Sequence, residues 1–142
     1  EEEVCKKYDV LKEKNMYGLV ELYYNSLGED DSASALENPA MIERLGRGEL
    51  FTLGRYYLAG EIQAELHPLF NIFFTGITNL AARSVIVQPR AAWNFAQNLE
   101  VIFGAQLYAG ETGSEFGGVA IPGTDFVYKS PDSVFAWMTW YF

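Results

Sequence analysis

The sequence predicts an all-β chain, an antiparallel up-and-down sheet of about six strands, and three observations carry that expectation. Apolar and polar residues alternate with a period of two in six runs of roughly ten residues each. The 13 glycines, 10 Phe, 9 Tyr and 3 Trp favour turns and sheets over helices. No apolar stripe at helical spacing competes over a comparable length.

The elements follow in order. Residues 1–15 are densely charged and read as a tail, a short helix or the end of a preceding strand. In the first run Val20, Leu22 and Tyr24 face one way while Glu21, Tyr23 and Asn25 face the other. The second sets Tyr56, Leu58, Gly60, Ile62, Ala64 and Leu66 against Arg55, Tyr57, Ala59, Glu61, Gln63 and Glu65. The third sets Phe70, Ile72, Phe74 and Gly76 against Asn71, Phe73, Thr75 and Ile77. In the fourth, Val85, Val87, Pro89, Ala91, Trp93 and Phe95 oppose Ser84, Ile86, Gln88, Arg90, Ala92 and Asn94. The fifth opposes Leu99, Val101, Phe103, Ala105 and Leu107 to Glu100, Ile102, Gly104, Gln106 and Tyr108. The sixth opposes Val134, Ala136, Met138, Trp140 and Phe142 to Ser133, Phe135, Trp137, Thr139 and Tyr141.

The connections differ in length. Residues 28–48 and 110–132 form two long loops, the first with helical character around Ala40 to Leu45, whereas His67-Pro68 and Ala96-Gln97-Asn98 are tight. With strands running up and down, both long loops fall at one end and the tight turns at the other. One domain then spans 16–142.

Composition excludes several function classes. A net charge of -9 without a Lys/Arg cluster argues against nucleic acid. A single cysteine, Cys5, and a single histidine, His67, leave no disulfide framework and no metal-ligand cluster. His67 precedes Pro68 in a tight turn and reads as a turn residue, with no catalytic residue, metal or cofactor expected. Glu29-Asp30-Asp31 fits no calcium-loop spacing and reads as a solvated loop. The glycines from Gly110 to Gly118 follow a strand without opening a helix, which suits a flexible loop folding toward the lumen better than a phosphate cradle.

Alternation alone fits both a soluble barrel and a membrane barrel. The apolar parity includes Gly54, Gly60, Ala64, Gly76, Pro89, Ala91 and Ala136, small residues that would leave voids in a packed core but suit fluid lipid. The opposite parity carries Glu21, Arg55, Glu61, Glu65, Arg90 and Glu100, with Gln63, Gln88, Asn94 and Gln106 between them, as a wet lumen would. Ten residues at about 3.3 Å each, tilted by roughly 40°, span on the order of 25 Å, the height of a membrane barrel's apolar band. Tyr23, Tyr24, Trp93, Phe95, Tyr108, Trp140 and Tyr141 cluster near run ends, where interfacial girdles belong.

The segment Val134-Phe135-Ala136-Trp137-Met138-Thr139-Trp140-Tyr141-Phe142 resembles the C-terminal β-signal of Gram-negative outer-membrane barrel proteins. The resemblance implies that Val134, Ala136, Met138, Trp140 and Phe142 are read by the outer-membrane assembly machinery. More loosely, Gly54 to Gly118, with His67-Pro68, Thr78-Asn79-Leu80, Gln88-Pro89 and Gly113-Ser114-Glu115-Phe116-Gly117, is similar to C-terminal portions of porin-like and alginate-export-like barrels. These likenesses imply a bacterial outer-membrane location, with the C-terminus and short turns expected in the periplasm and the long loops outside the cell.

One departure bears on architecture: bacterial single-chain barrels have at least eight strands, and six are visible. The chain is then the C-terminal part of a larger barrel, one of several copies or chains that pool strands, or a barrel with two more strands hidden in 1–15 and the long loops. The functional expectation is a porin-like channel passing small hydrophilic solutes through a polar lumen. Four acids, Glu21, Glu61, Glu65 and Glu100, against Arg55 and Arg90 give it a mild cation preference. The alternatives are a structural wall of a multichain barrel and a soluble β-barrel that binds an apolar ligand.

Overall fold

The computed structural model describes residues 15–121 and 123–142, so the expectations for the charged N-terminal segment and Cys5 lie outside the described residues. In chain order the elements are β1 (Met16–Tyr24), helices α1 (Ser32–Glu37) and α2 (Pro39–Gly46), β2 (Tyr56–His67), β3 (Phe70–Asn79), β4 (Ser84–Ala96), β5 (Leu99–Ala109), β6 (Val119–Ala120), β7 (Val127–Tyr128) and β8 (Ser133–Trp140). Each of the six alternating runs is a strand. They form one antiparallel sheet in the order β1-β2-β3-β4-β5-β8, so neighbours in the sheet follow one another in the chain apart from the β6–β7 excursion.

The ladders fix which side chains share a face. Met16, Ala64, Ile72, Ala91, Phe103 and Ala136 are cross-strand partners in one continuous row, and Val20, Gly60, Gly76, Val87 and Leu107 in another. Both rows carry only residues of the apolar parity. A one-residue slip in any ladder would send a whole strand's apolar set to the other side, and the six separate alternations agree with the five registers except at the two pairs beyond the register shifts, His67–Phe70 and Ala96–Leu99. The sheet therefore has one apolar and one predominantly polar face. Register shifts occur only near the tight-turn end, between Glu65 and His67 and between Asn94 and Ala96.

The sheet is open. β1 is paired along one side only, to β2, and β8 to β5 only, which leaves two long edges. β6 and β7 pair with each other as a separate ribbon, so among the described residues the second long loop adds no strand to the sheet. Two-residue turns at Pro68–Leu69 and Gln97–Asn98 lie at one end, and both long connections lie at the other together with the Leu80–Arg83 turn, where Arg83 takes a positive φ of 48°.

Three details differ from the sequence expectation. The first long loop holds two helices, not one. Asp31 caps α1 by accepting from the Ser34 N–H at 3.1 Å, and Asn38 caps α2 by accepting from the Ala40 N–H, with Pro39 at the first helical position. Gly54 is not a strand residue on the apolar face: it lies in the connection, where a Cβ on Gly28 would sit 2.0 Å from the Gly54 carbonyl oxygen. Only a glycine lets the two backbones cross that closely. Finally, β8 ends at Trp140, although the Tyr141 N–H still donates to the Asn98 carbonyl at 2.8 Å.

Burial is concentrated at the loop end. Ala35, Met41 and Tyr57 are buried there with the polar side chains of Asn25, Ser32, Asn79, Ser84 and Ser114. On the apolar face Ala91 is buried, but the large side chains stay open among the described residues: Ile62 is 55% exposed, Phe74 51%, Phe103 45% and Met138 66%. No helix among the described residues is long and apolar enough to cross a membrane, which leaves open crossing by strands.

Candidate functional site

The polar face is built by the same registers. Glu21 pairs across to Ala59, Ile77, Ile86 and Tyr108 in turn, and the next row runs Leu19, Glu61, Thr75 and Gln88. A third row runs Tyr17, Gln63, Phe73, Arg90, Gly104 and Phe135. Glu65 leads through Asn71, Ala92 and Ile102 to Trp137, while Asn94, Glu100 and Thr139 form the row nearest the tight turns. Gln106 pairs with Ser133 on this face. Nine of the ten candidate lumen residues (Glu21, Glu61, Gln63, Glu65, Gln88, Arg90, Asn94, Glu100 and Gln106) therefore share one surface.

Arg55 is the tenth, and its expected place at mid-strand depth is corrected. It precedes β2, its Nε donates to the Gly28 carbonyl at 3.1 Å and lies 3.7 Å from Asp30 Oδ1. Its carbonyl still accepts from the Asn25 N–H at 2.8 Å, one step beyond the Tyr24–Tyr56 pair, while its side chain turns to the first long loop. Arg55 thus sits at the loop end, at the opposite end of β2 from Glu65.

The charges on the wall do not pair with one another. Among the described residues the ion pairs are Arg47–Glu43, Arg47–Glu49 and Arg55–Asp30, all outside the sheet. Arg90 instead lays its guanidinium over the Phe73 ring, 4.4 Å from the centroid. Glu61 accepts from Thr75 Oγ1 at 2.7 Å and Glu65 from Asn15 Nδ2 at 2.8 Å. Leu19, Glu21, Ala59, Glu61, Thr75 and Ile77 border a hollow of about 220 Å³ on this face. The face is less uniformly polar than its parity suggests, because Phe135 stacks on Trp137 with ring centroids 5.2 Å apart.

At the loop end one row of the polar face, Tyr23, Tyr57, Asn79 and Ser84, becomes a docking strip. Glu115, from the second long loop, reaches it. Its Oε2 accepts from the Tyr57 hydroxyl at 2.5 Å and from Asn79 Nδ2 at 2.8 Å, and its Oε1 accepts from the Leu53 N–H at 3.1 Å. The Tyr57 oxygen in turn accepts from the Gly54 N–H at 2.6 Å. Asn79 Oδ1 accepts from the Ala81 and Ala82 N–H groups, which shapes the β3–β4 turn, and Ser84 Oγ accepts from the Phe116 N–H at 3.3 Å. The sequence expectation of a flexible Gly110–Gly118 loop missed this network. Its members are scattered along the chain, and no local pattern announces their meeting.

The remaining candidates have ordinary partners. His67 Nδ1 accepts from the Leu69 N–H at 3.2 Å, a turn contact. In the acidic run, Glu29 accepts from Asn38 Nδ2, Asp30 faces Arg55 and Asp31 caps α1. No group of three or more His, Cys, Asp or Glu side chains converges among the described residues. On the apolar face of β8, Val134, Met138 and Trp140 are exposed, as is Phe142 beyond the strand. Ala136 lies in the same row as Phe103.

Comparison with known proteins gives no relative to set beside this geometry: no family model, no curated protein and no solved structure matches the chain.

Proposed function

We propose that the chain forms part of the wall of a bacterial outer-membrane channel, porin-like, that passes small hydrophilic solutes along the polar face. The observation that carries this reading is the exposure of large apolar side chains on the apolar face. Ile62, Phe74, Phe103 and Leu107 are exposed there, although Ala91 is buried, and on the polar face Glu61, Gln63, Thr75, Gln88 and Gln106 are half-buried while Leu19, Ile77 and Trp137 are exposed. A soluble sheet buries its apolar side against a core, because apolar area left in water forfeits about 25 cal/mol per Å². Lipid tails remove that cost. Aromatics mark both ends of the same face, Tyr24 against Tyr56 at 5.2 Å and Trp93 against Phe95 at 5.0 Å. They lie about ten residues apart along the strands, on the order of 25 Å once tilted, which matches an apolar band between interfacial girdles.

In this reading further strands complete the barrel along the free edges of β1 and β8, because unpaired backbone in lipid costs several kcal/mol per group. Those strands come from a longer polypeptide or from other copies. The long loops then face outward, the tight turns face the periplasm, and the alternating residues of β8 with Phe142 are what the assembly machinery reads. Glu21, Glu61, Glu65 and Glu100 outnumber Arg90 on the wall, which supports a mild cation preference. The test is solute flux and reversal potential across liposomes holding the native assembly. Passage of small sugars with mild cation selectivity, reduced in Glu61→Gln, is expected, and liposomes as tight as protein-free ones would contradict it.

A second reading has one observation in its favour. Ile62, Ala64, Ile72, Phe74, Pro89, Ala91, Phe103 and Ala105, together with Phe73, Arg90 and Gly104, border a mainly apolar hollow of about 480 Å³, a size that suits a small apolar ligand. A protein that stays β-rich and monodisperse in plain buffer and takes up an apolar dye there would favour this ligand binder.

A further inference from the structure

The segment from Gly110 to Gly118 leaves β5 at the sheet's far side yet docks on the ends of β4, β3 and β2. Phe116 meets Ser84 of β4, and Glu115 meets Asn79 of β3 and Tyr57 of β2. It therefore crosses most of the sheet on its polar side, because Tyr57, Asn79 and Ser84 belong to a single row of that face. Its own fold is closed by five contacts: the Gly113 N–H donates to the Gly118 carbonyl at 2.6 Å, the Ser114 N–H and hydroxyl to the Glu111 carbonyl at 3.0 and 2.6 Å, the Gly117 N–H to Ser114 Oγ, and the Gly118 N–H to the Ser114 carbonyl at 3.0 Å. Gly118 takes a φ of 120°, which a side chain would strain.

We propose that this segment is a lid across the mouth of the polar face, latched shut by the Glu115 carboxylate, a reading that rests on the channel assignment above. Glu115 is suited to the task because it joins both long loops and the wall at once. It accepts from Leu53 of the first loop and from Tyr57 and Asn79 of the strands. Hydrogen bonds to a charged acceptor are the strong ones, and here they converge on side chains that are buried. The latch is also brittle. Losing one carboxylate leaves the Leu53 N–H without its acceptor and the Asn79 amide with only the Tyr57 oxygen at 3.4 Å, and frees the segment from β2 and β3, while Phe116 on Ser84 stays as a remaining tie to the strand ends. The mouth then widens on the β1–β3 side.

The test is residue-resolved hydrogen exchange on the native assembly, read together with solute flux in liposomes. In the wild type, the Leu53 and Gly54 amides exchange far more slowly than neighbouring Thr52; equal rates would overturn the latch before any variant is made. In Glu115→Ala, exchange at Leu53 and Gly54 accelerates about tenfold or more, and larger solutes pass. Glu111→Gln, in the same loop with the same change of charge, leaves both readouts unchanged. Tyr57→Phe, which keeps the ring, accelerates Gly54 more than Leu53, and provides the readout if Glu115→Ala does not fold. Unchanged exchange in both variants overturns the latch. Faster exchange without solute passage in either the wild type or the variant contradicts the channel reading while supporting the latch.

Discussion

The loop end of the sheet and the middle of its apolar face treat water in opposite ways. At the loop end Tyr57, Asn79, Ser84 and Ser114 are buried with their hydroxyl and amide groups hydrogen-bonded. On the apolar face Ile62, Phe74 and Phe103 remain about half exposed. A buried polar group is costly unless paired, and the loop end pairs its buried polar side chains within the chain apart from the Ser32 hydroxyl, which has no partner among the described residues. The described residues leave the apolar face without such closure, and in the proposed reading lipid covers it. The difference separates what this sequence stabilises alone from what it leaves to its surroundings.

The comparison is broken most strongly by putting charge on the open face. Ile62→Lys should cost about 2 to 4 kcal/mol of insertion stability near a membrane midplane, while Gln63→Lys, one residue on and facing the other way, leaves insertion intact. Urea titrations of both variants in lipid vesicles check this, and equal tolerance would refute the sidedness. The buried polar end should respond next. Asn79→Ala removes the acceptor for two turn amides and one donor to Glu115, an expected loss of about 1 to 3 kcal/mol read by the same titration. The smallest effect sharpens the contrast from outside both regions. Arg47 holds Glu43 and Glu49 on the exposed end of α2, and Arg47→Ala should shift stability by no more than about 0.5 kcal/mol.

The strand wall was legible because a strand's two faces are written into neighbouring residues. The period of two in Tyr56–Leu66 or Leu99–Leu107 survives any change in partner, and the registers only had to agree with it. What was not legible depends on distant partners. Helix α1 has six residues, too few to show a helical period. Arg55 carried the right parity for β2, but the chain turns away to cross Gly28 just before that strand begins. Tyr57, Asn79 and Glu115 meet from separations of 22 to 58 residues. One faint local signal existed: Asn79 heads the turn Leu80–Arg83, and an asparagine there commonly accepts from the amides that follow. Nothing local pointed to Glu115 as its partner.

The central claim is that the apolar face meets lipid and the polar face meets water. Nitroxide labels on Ile62→Cys and Gln63→Cys, in a Cys5→Ser background and with the protein in vesicles, report this from adjacent positions of one strand. The account predicts that the label at 62 collides with lipid-soluble oxygen and is shielded from a water-soluble nickel complex, with the reverse at 63. Water-accessible labels at both positions, or the opposite pattern, would contradict it.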